Sequence, residues 1–357
     1  MKQSERNYNR IVVKIGSSLL CLEAGGLDKG LFRKIGQQIV ALRESGKEVI
    51  LVSSGAIALG MRIIGLSSRP KELSYLQAAA AIGQNALMDN YSSFFKGYDT
   101  NCAQILLTWD DFNDRRRYLN ARNTLLTLFK LGSVAIINEN DTVSTDEIKF
   151  GDNDQLSARV ASLIDADLLI MLSDVDGLLD KDKKLVKIVD DINPAIKSMA
   201  FATQKKTCVG GMITKIEAAK IAVDSGIPCV IANGRSSNII LETVKEPGVF
   251  GTLFVPKKGY LDQKQRWIAF GTKAKGSIII DKGAQVALMN KKSLLTVGIT
   301  GVTGNFEAGD VVNVTAGSAA ITIARGKVGI GSKQLDKIKG TRYAKEAIHR
   351  DNIVILQ

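Results

Sequence analysis

Six nearly continuous runs of apolar and β-branched residues are spaced along the first 255 residues of the chain. Strands that are buried on both faces read this way, whereas strands with one solvated face alternate apolar and polar positions. The runs therefore predict the strands of a buried, mainly parallel sheet. They lie at residues 11–15, 49–52, 103–107, 134–137, 168–172 and 228–231.

Between these runs, apolar residues recur with the period of an amphipathic helix. The helical stretches are 31–43, 75–95, 119–131, 155–164 and 214–224. Alternation of strands and helices predicts an α/β fold, here a three-layer αβα sandwich around the parallel sheet. Ligands of such folds bind at the carboxyl ends of the strands, so we expect the site there.

The pattern changes after Pro256, where short β-rich pieces are separated by glycines. These pieces lie at 277–280, 293–298, 311–314, 320–324 and 353–356. This spacing predicts a small, barrel-like β domain of about 90 residues. We expect an α/β domain at 1–257, a linker at 258–265 and the β-rich domain at 266–357.

Two clusters of short acids and amides follow the run at 134–137. Asn138 and Asp141 belong to the first cluster, and Asp152, Asn153 and Asp154 belong to the second. So many polar groups cannot be packed into a core without partners. At the end of a strand they indicate a pocket for a molecule that carries both amino and carboxylate groups.

Lysines stand at two glycine-containing turns, Lys14 before Gly16 and Lys215 after Gly210 and Gly211. A lysine on such a turn binds phosphate together with backbone N–H groups, although Lys14 alone also fits an ordinary surface turn. Lys215 is the more specific of the two, since a cation in the first turn of a helix beginning near Thr214 is unfavourable unless an anion is present.

Short polar residues follow two other strands. Ser54 precedes a helix that begins at Gly55 or Ala56, which suits either a bound anion or a simple helix cap by Ser53 or Ser54. Ser173 and Asp174 follow the fifth strand and suit a nucleotide, with an acidic turn as the alternative.

The net charge of +12 is concentrated in the last part of the chain. Residues 262–357 contain 15 Lys and Arg against 7 Asp and Glu, and the preceding residues contain 33 against 29. This asymmetry favours a domain boundary, and it fits an anionic partner for the tail and a solvated basic surface equally well.

The remaining composition narrows the chemistry. The four cysteines are scattered, the first ten residues are polar, and no apolar run approaches the roughly 20 residues of a membrane helix, so we expect a cytoplasmic protein with no membrane contact. The single histidine, His349, lies in the tail, which argues against histidine-based catalysis. A carboxylate acceptor is already ionised at neutral pH, so phosphoryl transfer to it needs electrostatic neutralisation rather than a base.

Motifs over nearly the whole length resemble those of the amino acid kinase family, in the branch that carries a C-terminal PUA domain. The matching stretches are 12–18, 54–57, 118–124, 137–141, 150–154, 210–212, 214–215, 266–269 and 349–352. The resemblance implies ATP-dependent phosphorylation of the γ-carboxylate of L-glutamate, which is the first step of proline biosynthesis. It also implies Mg²⁺ carried by ATP, with no metal ligand from the protein.

The resemblance assigns roles to residues of this chain. Lys14, Lys215 and Asp154 would be catalytic, with Asp154 orienting both lysines. The glutamate-binding residues would be Ser54, Asp141 and Asn153, with Asn138 and Asp152 close by. The ATP-binding residues would be Lys14, Ser173, Asp174, Val209, Gly210, Gly211, Met212, Ile213, Thr214 and Lys215.

The resemblance further implies a homo-oligomer, a dimer or tetramer, and feedback inhibition by proline through the region of the loop at 115–117. Weak RNA association by the basic PUA domain is a further expectation. Two alternatives stay open from the sequence. One is another kinase of this family that acts on aspartate, acetylglutamate, carbamate or UMP, and the other is an RNA-associated PUA protein.

Overall fold

The computed structural model describes residues 7–22, 26–144, 152–202, 211–256, 261–317 and 321–356. By its contacts the chain divides into two units. The first contains residues 1–111 and 116–260, and the second contains residues 112–115 and 261–357. Among the described residues, no helix combines the length and the hydropathy that crossing a membrane requires.

The described strands of the first unit form one eight-stranded sheet in the order β3-β4-β2-β1-β5-β7-β8-β6. The strands are β1 (Arg10–Ile15), β2 (Glu48–Ser53), β3 (Cys102–Leu107), β4 (Val134–Glu139), β5 (Leu168–Ser173), β6 (Ile188–Val189), β7 (Cys229–Asn233) and β8 (Thr252–Phe254). Only the β7–β8 pair is antiparallel among these pairings. The predicted mainly parallel sheet is therefore confirmed.

Ten helices of the described chain connect these strands. They are α1 (Ser17–Leu20), α2 (Lys29–Glu44), α3 (Ala56–Ile63), α4 (Leu73–Lys96), α5 (Trp109–Asn113), α6 (Arg115–Lys130), α7 (Asp152–Leu163), α8 (Pro194–Ala202), α9 (Met212–Asp224) and α10 (Ile239–Lys245). The main core packs residues of β1, β2, β4 and β5 against apolar positions of α2 and α4. Removal of this apolar surface from water contributes most of the stability of the fold.

Helices α3 and α4 approach each other unusually closely because glycines stand at their crossing. A Cβ atom on Gly60 would lie 1.7 Å from the carbonyl oxygen of Ala79, and one on Gly83 would lie 1.8 Å from that of Ala56. Only glycine allows backbones to approach this closely. The crossing fixes the turn between β2 and α3, where Gly55 has the left-handed φ of 104°, against the middle of α4.

The second unit has its own core and a five-stranded mixed sheet in the order β10-β9-β11-β12-β13. Its regular elements are α11 (Gln263–Arg266), β9 (Gly276–Ile280), α12 (Lys282–Met289), β10 (Ile299–Gly304), β11 (Val311–Ala316), β12 (Ile321–Lys327), α13 (Ser332–Ile338) and β13 (Ile353–Ile355). The strand predicted at 293–298 is wrong, since this stretch contains an isolated bridge at Leu294 and the 3₁₀ turn Thr296–Gly298. The true strand is β10, which the glycines at 301 and 304 concealed.

The second unit is built from two separate stretches of the chain. The indole Nε1–H of Trp267 donates to the carbonyl oxygen of Phe112 at 3.0 Å, and the side-chain oxygen of Asn113 accepts from the backbone N–H of Lys273 at 2.7 Å. The guanidinium of Arg115 lies over the Trp267 ring. Residues 112–115 thus belong to the second unit by contact, although the sequence places them between predicted elements of the first.

Candidate active site

The candidate site lies at the carboxyl ends of the central parallel strands. Strand β1 occupies the middle of the sheet, with β2 and β4 on one side and β5 and β7 on the other. This order separates the predicted residues into two groups. The resemblance assigns the residues that follow β2 and β4 to glutamate and the residues that follow β5 to the nucleotide. Lys14, in β1, lies between these two groups.

Three charged side chains from distant parts of the chain meet at the centre of the site. The Nζ atom of Lys14 lies 2.6 Å from Oδ1 of Asp154, and the Nζ atom of Lys215 lies 3.4 Å from Oδ2 of the same carboxylate. All three residues are buried, and Asp154 is completely so. The structure therefore brings together the three residues that the sequence singled out as catalytic.

Burial and mutual charge act against each other in this cluster. Burial would raise the pKa of Asp154, but the two lysines reverse this effect and hold its pKa below the usual value. Burial lowers the pKa of Lys14, and the charge of Lys215 lowers it further, against the opposing attraction of Asp154. The cluster holds two cations and one anion, so its charge balance favours an additional anion.

The start of α9 supplies Lys215 and the neighbouring Thr214. The hydroxyl of Thr214 lies 2.8 Å from Oδ2 of Asp154 and 2.8 Å from the carbonyl oxygen of Gly211, and its one proton can bond either acceptor. The helix begins at Met212, two residues earlier than expected, which still leaves Lys215 near its first turn. A Cβ atom on Gly211 would meet no atom of the described residues within 4 Å.

A chain of neutral amides lines the side of β2 and β4. The Nδ2 atom of Asn153 donates to Oγ of Ser54 and to Oδ1 of Asn138, both at 2.9 Å. The Nδ2 atom of Asn138 donates to Oε1 of Gln84 on α4 at 2.8 Å. Ser54, Asn138 and Asn153 therefore form one hydrogen-bonded surface, and this surface includes Gln84, which the sequence did not single out.

The alternative of a simple helix cap at α3 is wrong. Gly55 occupies the N-cap position and no side chain caps the helix. The hydroxyl of Ser53 instead lies 2.8 Å from that of Tyr91 inside the protein, while Ser54 is engaged by Asn153. Both hydroxyls are thus used to hold the turn, and neither satisfies the helix terminus.

Asp141 follows β4 on the outer side of the amide chain and is partly exposed. Its charge acts on Arg69, opposing the lowering of the Arg69 pKa by burial, so the two side chains are near neighbours. Asp152 begins α7, but its side chain lies outside the described part of the structure. The roles expected for Asp141 and Asp152 therefore stay predictions.

On the side of β5 and β7, Ser173 ends its strand and its hydroxyl lies 3.2 Å from Oδ1 of Asp174. Asp174 is exposed. The amide of Asn233, at the end of β7, donates to Asp176, in the turn after β5, at 2.9 Å. Asn233 is a polar residue that the sequence patterns did not reveal. Gly211, Met212, Ile213 and Thr214 follow at the start of α9, and Val209 and Gly210 lie outside the described residues.

Two polar residues that the sequence patterns did not reveal, Gln84 and Tyr91, were missed for the same reason. Both lie in α4 at positions that follow the helical period of its buried face, so their spacing resembles that of core residues. Each forms its hydrogen bond with a residue far away in the sequence, Gln84 with Asn138 and Tyr91 with Ser53. The polar side chain of Gln84 within an otherwise apolar stripe was the only available signal.

Comparison with known proteins identifies the family. The model of the amino acid kinase family matches residues 9–233, and that of the PUA domain matches residues 276–349. The chain therefore belongs to the amino acid kinase family and carries a C-terminal PUA domain.

Individual relatives narrow the comparison. Glutamate 5-kinase of Caldanaerobacter subterraneus is 44% identical over 98% of both chains, and glutamate 5-kinase of Pseudomonas putida is 42% identical over 100% of both. Among solved structures, N-acetylglutamate synthase from Neisseria gonorrhoeae, complexed with coenzyme A and N-acetyl-glutamate, aligns with a TM-score of 0.51 at 16% identity. That alignment covers 70% of this chain and 60% of the other, and it supports the fold alone.

Proposed function

We propose that this chain transfers the γ-phosphoryl group of ATP to the γ-carboxylate of L-glutamate, producing L-glutamyl 5-phosphate for proline biosynthesis. The observation that carries the proposal is the buried cluster of Lys14, Asp154 and Lys215 next to an amide-lined surface. The full-length similarity to glutamate 5-kinases supports the same substrate pair.

The reaction needs no proton transfer. A carboxylate oxygen of glutamate forms a bond to the γ-phosphorus, the bond from that phosphorus to the bridging oxygen breaks, and the electron pair leaves with ADP. Both reactants are anions, so the main barrier that the protein can lower is electrostatic. Lys14 and Lys215 supply positive charge at the transferring group, and Asp154 holds their ammonium groups in place.

The side chains of this site suit a metal ion that is bound by the nucleotide rather than by the protein. Within the described ranges no group of three or more His, Cys, Asp or Glu side chains could hold an ion, and both oxygens of Asp154 face lysines. The family resemblance places Mg²⁺ on the ATP phosphates, where it would neutralise part of their negative charge when bound. Lys14 and Lys215 would add positive charge at the transferring phosphoryl group.

Substrate binding divides along the sheet. Ser54, Asn138 and Asn153 would hold glutamate together with Asp141 and Asp152, because amides and carboxylates match its carboxylate and ammonium groups. Ser173, Asp174 and the segment from Val209 to Lys215 would hold ATP. These assignments are the ones that the family resemblance implies; among the described residues, Asn138 lies in β4, Ser54 follows β2 and Ser173 ends β5.

A coupled assay of ADP release tests the activity. Release should depend on L-glutamate, with aspartate, acetylglutamate, carbamate and UMP giving little or none at equal concentration. A higher kcat/KM with any of these four would replace the proposed acceptor. Adding proline to the same assay tests feedback inhibition, which we place in the region of residues 115–117.

Self-association is the expected state of the enzyme. Apolar side chains of α3 and α4 and of the segment between them are exposed, among them Ile63, Leu73, Tyr75 and Ile82. Large apolar side chains left exposed to solvent are candidates for a protein interface. We propose a dimer or tetramer through this surface, and light scattering after gel filtration measures its mass. We also place the enzyme in the cytoplasm. Its thiols at Cys21, Cys102 and Cys229 are free, as expected in a reducing compartment.

Weak RNA binding by the PUA domain is a second candidate function, supported by a cavity of about 580 Å³ in the second unit. Lys291, Lys292 and Arg350 contribute to its lining together with the apolar Leu294 and Val297. Basic groups suit phosphates, and apolar surface suits bases.

The test is binding of a single-stranded RNA at graded salt. Replacing Lys291 and Lys292 by Glu should abolish binding, whereas replacing Lys333 and Lys337 on α13, which do not line the cavity, should weaken it only slightly. Equal losses of RNA affinity in both double variants would show that binding depends only on net charge, which would contradict an RNA site at the cavity.

A further inference from the structure

Gln84 anchors the far end of the amide chain beneath the candidate glutamate site. It is 8% exposed and lies one residue after Gly83, at the close crossing of α3 and α4. Its Oε1 atom accepts from Nδ2 of Asn138 at 2.8 Å. Glutamine is costly to bury at such a position unless its hydrogen bonds serve a purpose.

One backbone N–H group determines which side-chain atoms donate and which accept along the amide chain. The N–H of Glu139 points to Oδ1 of Asn138 at 2.9 Å, and a backbone N–H can only donate. Asn138 must therefore direct its oxygen toward Glu139, which turns its Nδ2 toward Gln84. The usual ambiguity between the oxygen and nitrogen of a side-chain amide is thereby removed.

The same constraint fixes the amide of Asn153. Because Oδ1 of Asn138 is an acceptor, Asn153 must present its Nδ2 to it, and the second N–H of that nitrogen goes to Oγ of Ser54. The Oδ1 atom of Asn153 is then left buried without a hydrogen-bond partner in the described part of the chain. Ser54 accepts with its oxygen, so its own proton remains available to donate.

We propose that Gln84 is a positioning residue that holds Asn138 and Asn153 in this orientation, so that Asn153 offers a carbonyl oxygen to the α-ammonium group of the substrate. Ser54 then donates its hydroxyl proton to the α-carboxylate. This inference rests on the proposed glutamate specificity and deepens it, since it explains how the site distinguishes an amino acid from a plain dicarboxylate.

Loss of the Gln84 acceptor has a defined consequence. The buried Nδ2 of Asn138 loses its partner, so the Asn138 side chain is held only through its Oδ1 and can shift away from Asn153. Asn153 then loses the acceptor that fixes its own amide. An N–H group of Asn153 pointing at the substrate ammonium repels it, whereas recognition of the two carboxylates is unaffected.

The test compares L-glutamate with glutarate, which has the same two carboxylates and no amino group. In Gln84→Met, the KM for L-glutamate should rise about tenfold, as expected for a lost hydrogen bond to a charged group. The inhibition constant of glutarate against L-glutamate should change less than about twofold. Gln84→Glu keeps an oxygen acceptor, so its KM for L-glutamate should stay close to that of the parent.

Gln38→Met is the matched control, because Gln38 is 6% exposed and bonds the backbone of Ile240 away from the site. It should leave both constants unchanged. Equal weakening of L-glutamate and glutarate in Gln84→Met would show general damage to the pocket and overturn the inference, as would no change in either. A parent protein without glutamate-dependent ADP release would overturn the proposed function instead, so the two failures are distinguishable.

Discussion

The ammonium group of Lys14 and the carboxylate of Asp154 form a buried ion pair, with Nζ and Oδ1 separated by 2.6 Å. Lys14 belongs to the central strand β1 and Asp154 to the first turn of α7, so the pair ties the sheet to the helix above it. Lys215 shares the same carboxylate from α9. One anion thus orients two cations, and in the proposed function their excess positive charge would act on the phosphates of ATP.

Lys215→Ala should lower kcat by about 10²–10³ and change the KM for glutamate far less, because its charge matters most in the transition state. Lys220→Ala is the control, since Lys220 lies on the same helix and pairs with Asp224 at the surface. Initial rates at varied glutamate and saturating ATP measure both constants. An effect confined to glutamate KM would contradict the role assigned to Lys215.

Asp154→Asn should destabilise the fold by about 3 kcal/mol, because removing one partner leaves buried charge uncompensated. Urea unfolding of parent and variant at pH 7 measures the difference. Asp224→Asn breaks the exposed pair with Lys220 and should cost about 0.5 kcal/mol or less. Similar losses in the two variants would mean that the buried cluster contributes no more than a surface pair.

The pH dependence of kcat should reflect Lys14. Its pKa lies below the usual lysine value of 10.5 because of burial and the nearby Lys215, so the charged form is lost at a lower pH than for a free lysine. Activity should accordingly fall as pH rises, with a midpoint below 10.5. In Lys14→Arg the residual activity should persist to higher pH, because arginine stays protonated. An identical alkaline limb in both proteins would assign it to another group.

Asp141→Ala and Asn153→Ala should each raise the KM for glutamate by about 10–100-fold, as expected for lost hydrogen bonds to charged groups. The KM for ATP should stay nearly unchanged, since both residues lie on the β4 side of β1. Full saturation curves for each substrate, with the other held constant, provide the measurement. Parent-like saturation by glutamate in both variants would show that the pocket lies elsewhere.

Truncation after residue 260 should leave a folded α/β unit that still phosphorylates glutamate, since every candidate catalytic residue precedes the cut. Most retention on heparin should disappear, because the remaining chain keeps only +4 of the +12 charge. The cut also removes Trp267 and Lys273, the donors to Phe112 and Asn113, so we expect a lower melting temperature. A cooperatively folded but inactive truncation would show that the tail contributes to catalysis.

The sequence was sufficient for six of the eight described strands of the first unit, whereas β6 and β8 are too short to leave a clear pattern. It marked Lys14, Asp154 and Lys215 as candidates without showing that they meet. Buried parallel strands are continuous apolar runs, and Lys14, Asp154 and Lys215 stand at strand ends or helix starts that apolar patterns cannot explain. The β-rich tail was harder to predict, because its apolar pattern is weak. The glycines and threonines of β10 give little indication of a strand. The apolar residues at 293–298 belong instead to a turn and to the lining of a cavity.

The amide chain shows why the rest of the site could not be predicted. Gln84, Asn138 and Asn153 are connected through single hydrogen bonds between segments far apart in the sequence. Periodicity places Gln84 on a buried helix face but says nothing of its partner. Only the close crossing at Gly60 and Gly83, which depends on tertiary packing, brings α4 near enough to reach Asn138.

The two-part composition of the second unit has a consequence for the order of synthesis. Residues 112–115 leave the ribosome about 150 residues before Trp267, which at typical elongation rates is on the order of ten seconds. During that interval the carbonyl of Phe112 has no indole to bond. Translation therefore supplies the whole first unit before residues 112–115 can form their contacts with the second stretch, and a circular permutation that placed the tail first would reverse this order.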